Sequence, residues 1–325
     1  MISVAMAVYN GANYIEEQLD SILNQSRAVD EIVIVDDGSS DGSRDILLRF
    51  KQKYPIIRLF FNENNLGYLK NFTKAASLTR GDIIFFCDQD DCWYQNKVET
   101  MIHTMEKHPE IGVLASSFEF MDGEGKTFRV EPRKGMSNNN MYLKPVPPHK
   151  LVEVTFEEFC LHNYFQGCSM AIKKEVLQLF VKSGTDYLPH DWQIALIASH
   201  EHSFYFLNEP LFRYRIHEKN TIGVPFGKRN EEWVRIKVAE DLRDSVFTIQ
   251  NYWPEEFMNN SNCSDRIKFC DRHIAALKNR DIFDLATQNL NPVYRELKGF
   301  KARCMDLVFA LTVPKGKTTS DPSRK

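Results

Sequence analysis

The stretch Gly81-Asp-Ile-Ile-Phe-Phe-Cys-Asp-Gln-Asp-Asp-Cys-Trp93 decides how this chain is read. Its apolar run, Ile83 to Cys87, is short, rich in β-branched and aromatic residues and bounded by Gly81-Asp82, the pattern of a buried strand. Directly after it stand Asp88, Asp90 and Asp91, three carboxylates within four residues. Side chains alternate along a strand, so Asp88 and Asp90 are expected on one side as the strand runs out. Clustered hard oxygens suit Mg2+ or Mn2+, ions often held by a few carboxylates together with substrate phosphates. The plain alternative is a solvated acidic loop. Mutual repulsion of three acids at the end of an apolar strand favours the cation.

Working outward, the residues before this stretch repeat one theme. Residues 2–8 read as a first strand ending at Tyr9-Asn10-Gly11, a turn signal. Asn13 is placed to cap a helix running to about Asn24. Glu31 to Val35 is a second strand, closed by Asp36-Asp37-Gly38-Ser39-Ser40, with a helix from about Asp41. Ile56 to Phe61 is a third strand, Asn62 to Gly67 a polar turn, and Tyr68 to Thr79 a third helix. Such alternation predicts a parallel sheet flanked by helices, in which ligands bind beyond the carboxyl ends of the strands. Three of the four strands end in polar turn-forming clusters, which should therefore meet at one edge. No Walker loop and no G-x-G-x-x-G is present, which disfavours ordinary dinucleotide binding.

After Trp93 the order changes. Lys97 to Lys107 reads as a helix and Ile111 to Phe120 as a strand, and residues 122–150 as a long polar loop. A short helix at Phe156 to His162, a strand at Gly167 to Ile172 and a helix at Lys174 to Lys182 follow. His190-Asp191-Trp192 precedes a helix to about Ser199, and extended stretches cover residues 203–207 and 210–215. From about residue 229 the pattern is helical. Near the end, Leu297, Phe300, Cys304, Leu307, Val308 and Leu311 fall at helical spacing, and residues 295–325 carry eight Lys/Arg against three Asp/Glu. Such a helix either lies on an anionic membrane surface or packs on the domain with its basic face in water.

The totals limit the alternatives. A chain of 325 residues with 43% hydrophobic and 26% charged content can bury one large core or two modest ones. Net charge of −3 gives no reason to expect a nucleic-acid partner. The seven cysteines include no C-x-x-C pair and read as reduced thiols. No apolar run approaches the ~20 residues of a membrane span, and the N-terminus lacks a basic leader. A cytoplasmic protein, with or without peripheral attachment to the inner face of the plasma membrane, is expected.

With these pieces in place, residues 2–223 resemble a family 2 glycosyltransferase of the GT-A fold. The resemblance is carried by Ala7-Val8-Tyr9-Asn10, by Val35-Asp36-Asp37-Gly38-Ser39-Ser40-Asp41-Gly42, by Asn62 to Gly67 and by Cys87 to Asp91. The Asp-Gln-Asp-Asp form, with His190-Asp191-Trp192 and Tyr214-Arg215-Ile216-His217 later, is similar to bacterial rhamnosyltransferase-like members. The resemblance implies a mostly parallel α/β sheet in residues 1–223, with a nucleotide-binding half at 1–100 and an acceptor half at 101–223. Residues 224–325 form a helical extension. It implies that Val8, Tyr9 and Asn10 line the nucleotide pocket, that Asp36 or Asp37 receives the base, and that Asn65 and Gly67 lie on the same side. Asp88 and Asp90 would form the DXD motif, touching ribose and metal, with Asp91 and His217 as further metal ligands and Mg2+ or Mn2+ as the ion.

Asp191 would be the catalytic base, its rival reading a helix N-cap. His190, Trp192 and Trp93 are candidates for sugar or acceptor contact, their rival reading core packing. The reaction implied moves a sugar from dTDP-rhamnose or a UDP-hexose to a bacterial surface polysaccharide or lipid-linked glycan. Other classes remain in view. A sugar nucleotidyltransferase would need a Gly-rich first loop with a basic residue. A phosphoacceptor domain would leave Asp88 to Asp91 unexplained, and an inactive nucleotide-sugar-binding protein would not need the full carboxylate set.

Overall fold

The computed structural model describes residues 1–130, 142, 144–217, 232–255 and 261–314. These fall into two compact units, one of residues 1–130, 144–159 and 165–217, the other containing 160–164 and the described residues beyond 231. The expected boundary at residues 223/224 lies outside the described residues.

In the first unit the apolar runs form adjacent strands: β1 (Ile2–Val8), β2 (Glu31–Asp36), β3 (Ile57–Phe61) and β4 (Ile83–Cys87), ordered β3-β2-β1-β4 and all parallel. Each is joined to the next by a helix: α1 (Ile15–Leu23), α2 (Ser43–Lys53) and α3 (Tyr68–Ser77). The central strands β1, β2 and β4 are almost wholly buried, which is why they read as continuous apolar runs rather than alternating ones. After β4 come β5 (Cys92–Trp93), α4 (Lys97–Lys107), β6 (Val113–Met121), the short β7 (Thr127–Phe128) and β8 (Leu151–Glu153). Then follow α5 (Phe156–Phe159), β9 (Met170–Lys173), α6 (Lys174–Ser183), α7 (His190–His200) and β10 (Phe204–Arg215). β9 is antiparallel to both β4 and β6, while β10 runs parallel to β6 and antiparallel to β5, extending one sheet in the order β4-β9-β6-β10-β5. This is the helix-flanked α/β sheet that the resemblance implied, mixed in its second half.

Several local expectations change. Asn13 does not cap α1; Tyr14 holds the N-cap position without a side-chain cap, and the Gly11 carbonyl accepts from Tyr14 N and Ile15 N. Helix α2 starts at Ser43 after Gly42 at φ +93°, with the Asp41 carboxylate accepting from Ser43 N and Oγ. The helix expected at Phe156 to His162 stops at Phe159, and the strand expected from Gly167 opens as a 3-10 turn, Gly167–Ser169. The two extended stretches around Pro210 are one strand, β10, whose register slips at Leu207/Pro210 and Pro210/Arg213; proline cannot donate to the ladder. Within the expected loop at 122–150, residues 127–128 pair with β6, while 131–141 and 143 lie outside the described residues.

The second unit is helical: α8 (Glu232–Tyr252), α9 (Ser261–Asn279), α10 (Ile282–Gln288), α11 (Pro292–Leu297) and α12 (Phe300–Thr312). Leu242, Phe269, Leu277, Leu285, Tyr294 and Phe309 form its core. At the centre lies Asp306, fully buried, accepting from Arg235 (2.8 Å), Tyr294 Oη (2.7 Å) and Lys298 Nζ (2.7 Å). Against the opposing effect of burial, the His273 ring beside it, Lys298 and Tyr294 hold its carboxyl well below the usual carboxylate range. No described helix is long and apolar enough to cross a membrane.

Candidate active site

Parallel pairing puts Val8 beside Asp36 and Met6 beside Cys87, so the loops after β1, β2 and β4 emerge side by side. The first two loops are laced together. Asn10, in the left-handed region at φ +51°, donates from its backbone to Ser39 Oγ (2.8 Å) and accepts from Ser40 N with its side chain (2.8 Å). Gly11 N donates to Ser43 Oγ and Ala12 N to Asp41. The third loop joins through Gln89. Its amide accepts from Tyr9 N (2.8 Å) and donates to Tyr9 O (3.0 Å), closing over Gly11, where a Cβ would come within 2.4 Å of Gln89 Oε1.

On the β2 side, the two acids have different surroundings. Asp37 is buried, and both its oxygens are taken: Oδ1 by Asn62 Nδ2 and Leu66 N, Oδ2 by Gly67 N. It thereby shapes the turn 62–67, which Asn65 also supports by accepting from Gly67 N. Asp36 accepts from Ser39 N and Arg44 Nε through Oδ1, while its buried Oδ2 has no partner. Of the residues expected to line a nucleotide pocket, Tyr9 is 48% exposed and Asn10 is exposed, whereas Val8 is 1% exposed and points into the core.

The carboxylates after β4 do not share a side in the way strand alternation predicts. The strand ends at Cys87 and the chain bends, so the period of two no longer applies. Asp88 groups with Asp91 and the Cys168 thiol, one ligand atom of each lying within 4.8 Å of the others. Asp90 turns instead to His217, Oδ2 to Nε2 at 2.9 Å.

Asp91 is fully buried. Its Oδ1 accepts from Arg215 N, and Oδ2 has no nitrogen or oxygen donor. Desolvation and the neighbouring acids push Asp91 well up and Asp88 up to about 7. Beneath them Lys97 is fully buried, donating to the Cys168 carbonyl (2.6 Å) with its ammonium 4.3 Å from the rings of both Trp93 and Phe212. Desolvation brings its pKa down to about 8 against the pull of the acids.

Arg215, 1% exposed, ties the cluster together. It donates to the Asp90 carbonyl (2.7 Å) and to Glu17 (2.5 Å), reaches the carbonyls of Asp122 and Gly123, and stacks over Tyr14. The His217 ring lies 4.9 Å from the same tyrosine.

Helix α7 brings the last candidates. Its N-cap is Pro189, so Asp191 is not the cap; it sits in the first turn, 6% exposed, accepting from Trp192 N. The acids at Asp88 and Asp191 are close enough that the charge on Asp191 helps to raise Asp88. His190 is buried between Phe72 and Phe86, and burial drives its imidazole down to about 3, so it is neutral. The expectation of sugar contact by tryptophan is corrected. Trp192 is 4% exposed and donates Nε1 to the Phe159 carbonyl, and Trp93 is 4% exposed against Phe85 and Lys97. Both are core residues.

Sequence reasoning passed over Gln89, Lys97, Cys168, Glu17 and Arg215 as participants. Arg215 stood in the quoted Tyr-Arg-Ile-His motif and Gln89 in the Asp-Gln-Asp-Asp motif; the other three had no local signal.

The donor set fits a divalent cation. Asp90 and His217 offer an oxygen and a nitrogen side by side, and Asp91 Oδ2 is a buried carboxyl oxygen left without a nitrogen or oxygen donor. What the site offers overall is a polar ledge on the β2 side, a carboxylate-rich centre and a buried acid at a helix start.

Comparison with known proteins converges on one family. Residues 3–179 match the model of "Glycosyl transferase family 2". A dTDP-rhamnosyl transferase, RfbG of Shigella flexneri, is 29% identical over 267 residues, 74% of this chain and 86% of that protein. Among solved structures, S. aureus TarS 1-349 in complex with UDP aligns at TM-score 0.57 and 17% identity, covering 95% of this chain and 88% of that one. The mannosyltransferase PcManGT from Pyrobaculum calidifontis, in complex with GDP-Man and Mn2+, aligns at TM-score 0.52 and 18% identity over 95% of this chain and 85% of that one.

Proposed function

The chain belongs to glycosyl transferase family 2, and from that premise we propose an inverting, cation-assisted transfer of a sugar from a nucleoside diphosphate to a hydroxyl of a glycan. The observation that carries this reading is the meeting of the β1, β2 and β4 loops around the acids, with Asp191 buried close by.

In this reading Tyr9, Asn10, Asn65 and the Asp36 side of the ledge receive the nucleoside. Asp37 contributes indirectly, by holding Gly67 and the turn around it. Asp88 meets the ribose. Asp88, Asp90, Asp91 and His217 would hold Mg2+ or Mn2+. When bound, the cation supplies positive charge opposite the diphosphate, whose negative charge grows as it departs.

The protein's own share is positional and acid–base. Arg215 fixes the loop through the Asp90 carbonyl and, with its backbone N–H, the Asp91 carboxyl, while Lys97 places a buried positive charge near the acids, so little reorganisation is needed as the reaction proceeds. Asp191 accepts the proton of the attacking hydroxyl. A single base with no second carboxylate acting as nucleophile gives inversion at the anomeric carbon. Neutral His190 shapes the floor beside it.

The donor is dTDP-rhamnose or a UDP-hexose, a reading supported by the rhamnosyl transferase relative and by the UDP held by a structure of like fold. The acceptor is a growing surface polysaccharide or a lipid-linked glycan, met at the inner face of the plasma membrane. Residues 1–223 form the transferase domain, with nucleotide-binding (1–100) and acceptor (101–223) halves, and 224–325 the helical extension.

Calorimetric titration with UDP and with dTDP, each with and without Mn2+, tests the proposal. Cation-dependent binding of one nucleotide is the expected result. Failure of both to bind in the presence of Mn2+ would overturn it.

A further inference from the structure

Beside the acids stands a sulfur that the transfer itself does not use. Antiparallel pairing of β9 with β4 sets Ile83 opposite Lys173, Ile84 opposite Ile172 and Phe85 opposite Ala171. Carried on past the strand ends, that register places Cys168 opposite Asp88, and the fold does keep the two together. One ligand atom from each of Asp88, Asp91 and Cys168 lies within 4.8 Å of the others. Asp91 and Cys168 are fully buried, while Asp88 is half-buried and gives the group its partly exposed member.

The turn that carries this thiol is held on several sides. Ser169 donates from N (3.0 Å) and Oγ (2.6 Å) to the Gln166 carbonyl, closing the 3-10 turn Gly167–Ser169. A Cβ at Gly167 would come within 2.6 Å of His190 Nε2, so the turn packs directly on that ring. Lys97, the buried positive charge nearby, directs its ammonium at the Cys168 carbonyl (2.6 Å) and lies 4.3 Å from the rings of Trp93 and Phe212. Two other thiols near the acids are engaged differently. Cys87 Sγ accepts from Gln18 Nε2 (2.8 Å) and donates to the Asp88 carbonyl (3.2 Å), and Cys92 Sγ accepts from Arg213 (2.8 Å). Cys168 instead faces two carboxyl groups, and one of them, Asp91, keeps Oδ2 buried without a nitrogen or oxygen donor.

We propose that Cys168 is a metal ligand: with Asp88 and Asp91 it makes a mixed sulfur–oxygen site that takes a borderline or soft divalent cation, such as Co2+, Zn2+ or Cd2+, more tightly than the acids alone would. Thiolate sulfur favours such ions, whereas carboxylate oxygen by itself favours Mg2+ and Mn2+. On binding, the S–H bond breaks, its proton passes to the buffer and the sulfur lone pair is shared with the cation. The two acids supply further negative charge, and the braced turn presents the sulfur where it is needed. The site shares Asp88 and Asp91 with the cation-assisted reading and rests on it in that respect, but its test needs no nucleotide, so either can fail alone.

The test is Co2+ added to the full chain, kept reduced by a phosphine and free of nucleotide, and followed by absorption, with Cd2+ titrated by calorimetry. A sulfur-to-Co2+ charge-transfer band in the near ultraviolet is the expected result. Cys168→Ser should abolish the band and lower Cd2+ affinity at least about tenfold, since even the outer partners of a metal site are worth 10–100-fold. Asp91→Asn keeps every thiol and should also weaken Co2+ binding at least about tenfold, which keeps the proposal testable should Cys168→Ser fold poorly. No band with the wild-type chain, a band that survives Cys168→Ser, or Cd2+ affinity within about twofold of wild type in that variant would overturn the proposal. Titration of UDP and dTDP with Mn2+ on the same samples reports separately on the transferase reading.

Discussion

Asp91 and Asp306 are the same residue type, and both are fully buried, yet their surroundings are opposite. Asp306 accepts from an arginine, a lysine and a tyrosine and is held ionised. Asp91 has one backbone donor, the Cys168 thiol beside it, an oxygen without a nitrogen or oxygen donor and two further acids within reach, and its pKa is raised. Folding alone accounts for the first arrangement, because the buried charge is fully matched. It does not account for the second, which crowds acids until their ionised forms are disfavoured and leaves an oxygen without a nitrogen or oxygen donor. A satisfied carboxylate marks scaffold, and an unsatisfied one marks a place reserved for something that arrives later.

Substitutions can sharpen or break this contrast. The largest effect is expected at Asp191, a third buried acid, on the reactive side of it. Asp191→Asn should leave nucleotide affinity and melting temperature unchanged while lowering turnover by roughly 10²–10⁴, the usual general-base contribution. Turnover within a factor of two of wild type would return Asp191 to the scaffold. Next, Asp306→Ala should destabilise the helical unit by about 3–5 kcal/mol, because Lys298 and Arg235 lose their counter-charge in the interior. Denaturant unfolding measures this directly, and a loss under 1 kcal/mol would mean the network is dispensable.

The mirror substitution, Asp91→Asn, should be neutral or stabilise the cation-free protein by about 1 kcal/mol, since it removes a buried acid whose ionised form burial and its neighbours disfavour. The same change should lower Mn2+-dependent nucleotide affinity. A protein destabilised as strongly as by Asp306→Ala would erase the distinction between the two sites.

The smallest effect is the pH response. Asp88 binds its proton more tightly folded (about 7) than unfolded (about 4), so folding of the cation-free α/β unit should weaken as pH rises between those values. Asp306 is depressed, so its contribution is complete above the unfolded value and is lost only in stronger acid. Hydrogen exchange followed in peptides from each unit should therefore show protection falling over this window in the α/β unit alone, with Mn2+ flattening the trend. Equal slopes in both units would count against the assignment.

Much of the fold was legible because the relevant signals are local. Strands β1, β2 and β4 are apolar runs ended by turn residues, and those ends had to meet if the sheet was parallel. The acids after β4, the paired acids after β2 and the start of α7 were visible for the same reason. What escaped depends on partners far away in sequence. Gln89 bonds a backbone 80 residues earlier, Lys97 reaches a carbonyl 71 residues later, and the Arg215 side chain spans 198 residues to Glu17. No periodicity records such pairings. The expected alignment of Asp88 with Asp90 failed for a related reason, since strand geometry was extended past the point where the strand stops.

The clasp of Gln89 over Gly11 bears on how this sequence can drift. A methyl group at position 11 would meet the Gln89 amide, which could escape only by giving up both its bonds to Tyr9. Related chains should therefore inherit the two positions as a pair: glycine with a long amide, or a larger residue with a shorter partner, and rarely a mixture. A recombinant that takes its first forty residues from one lineage and its acidic loop from another would inherit the mismatch, even with every acid intact.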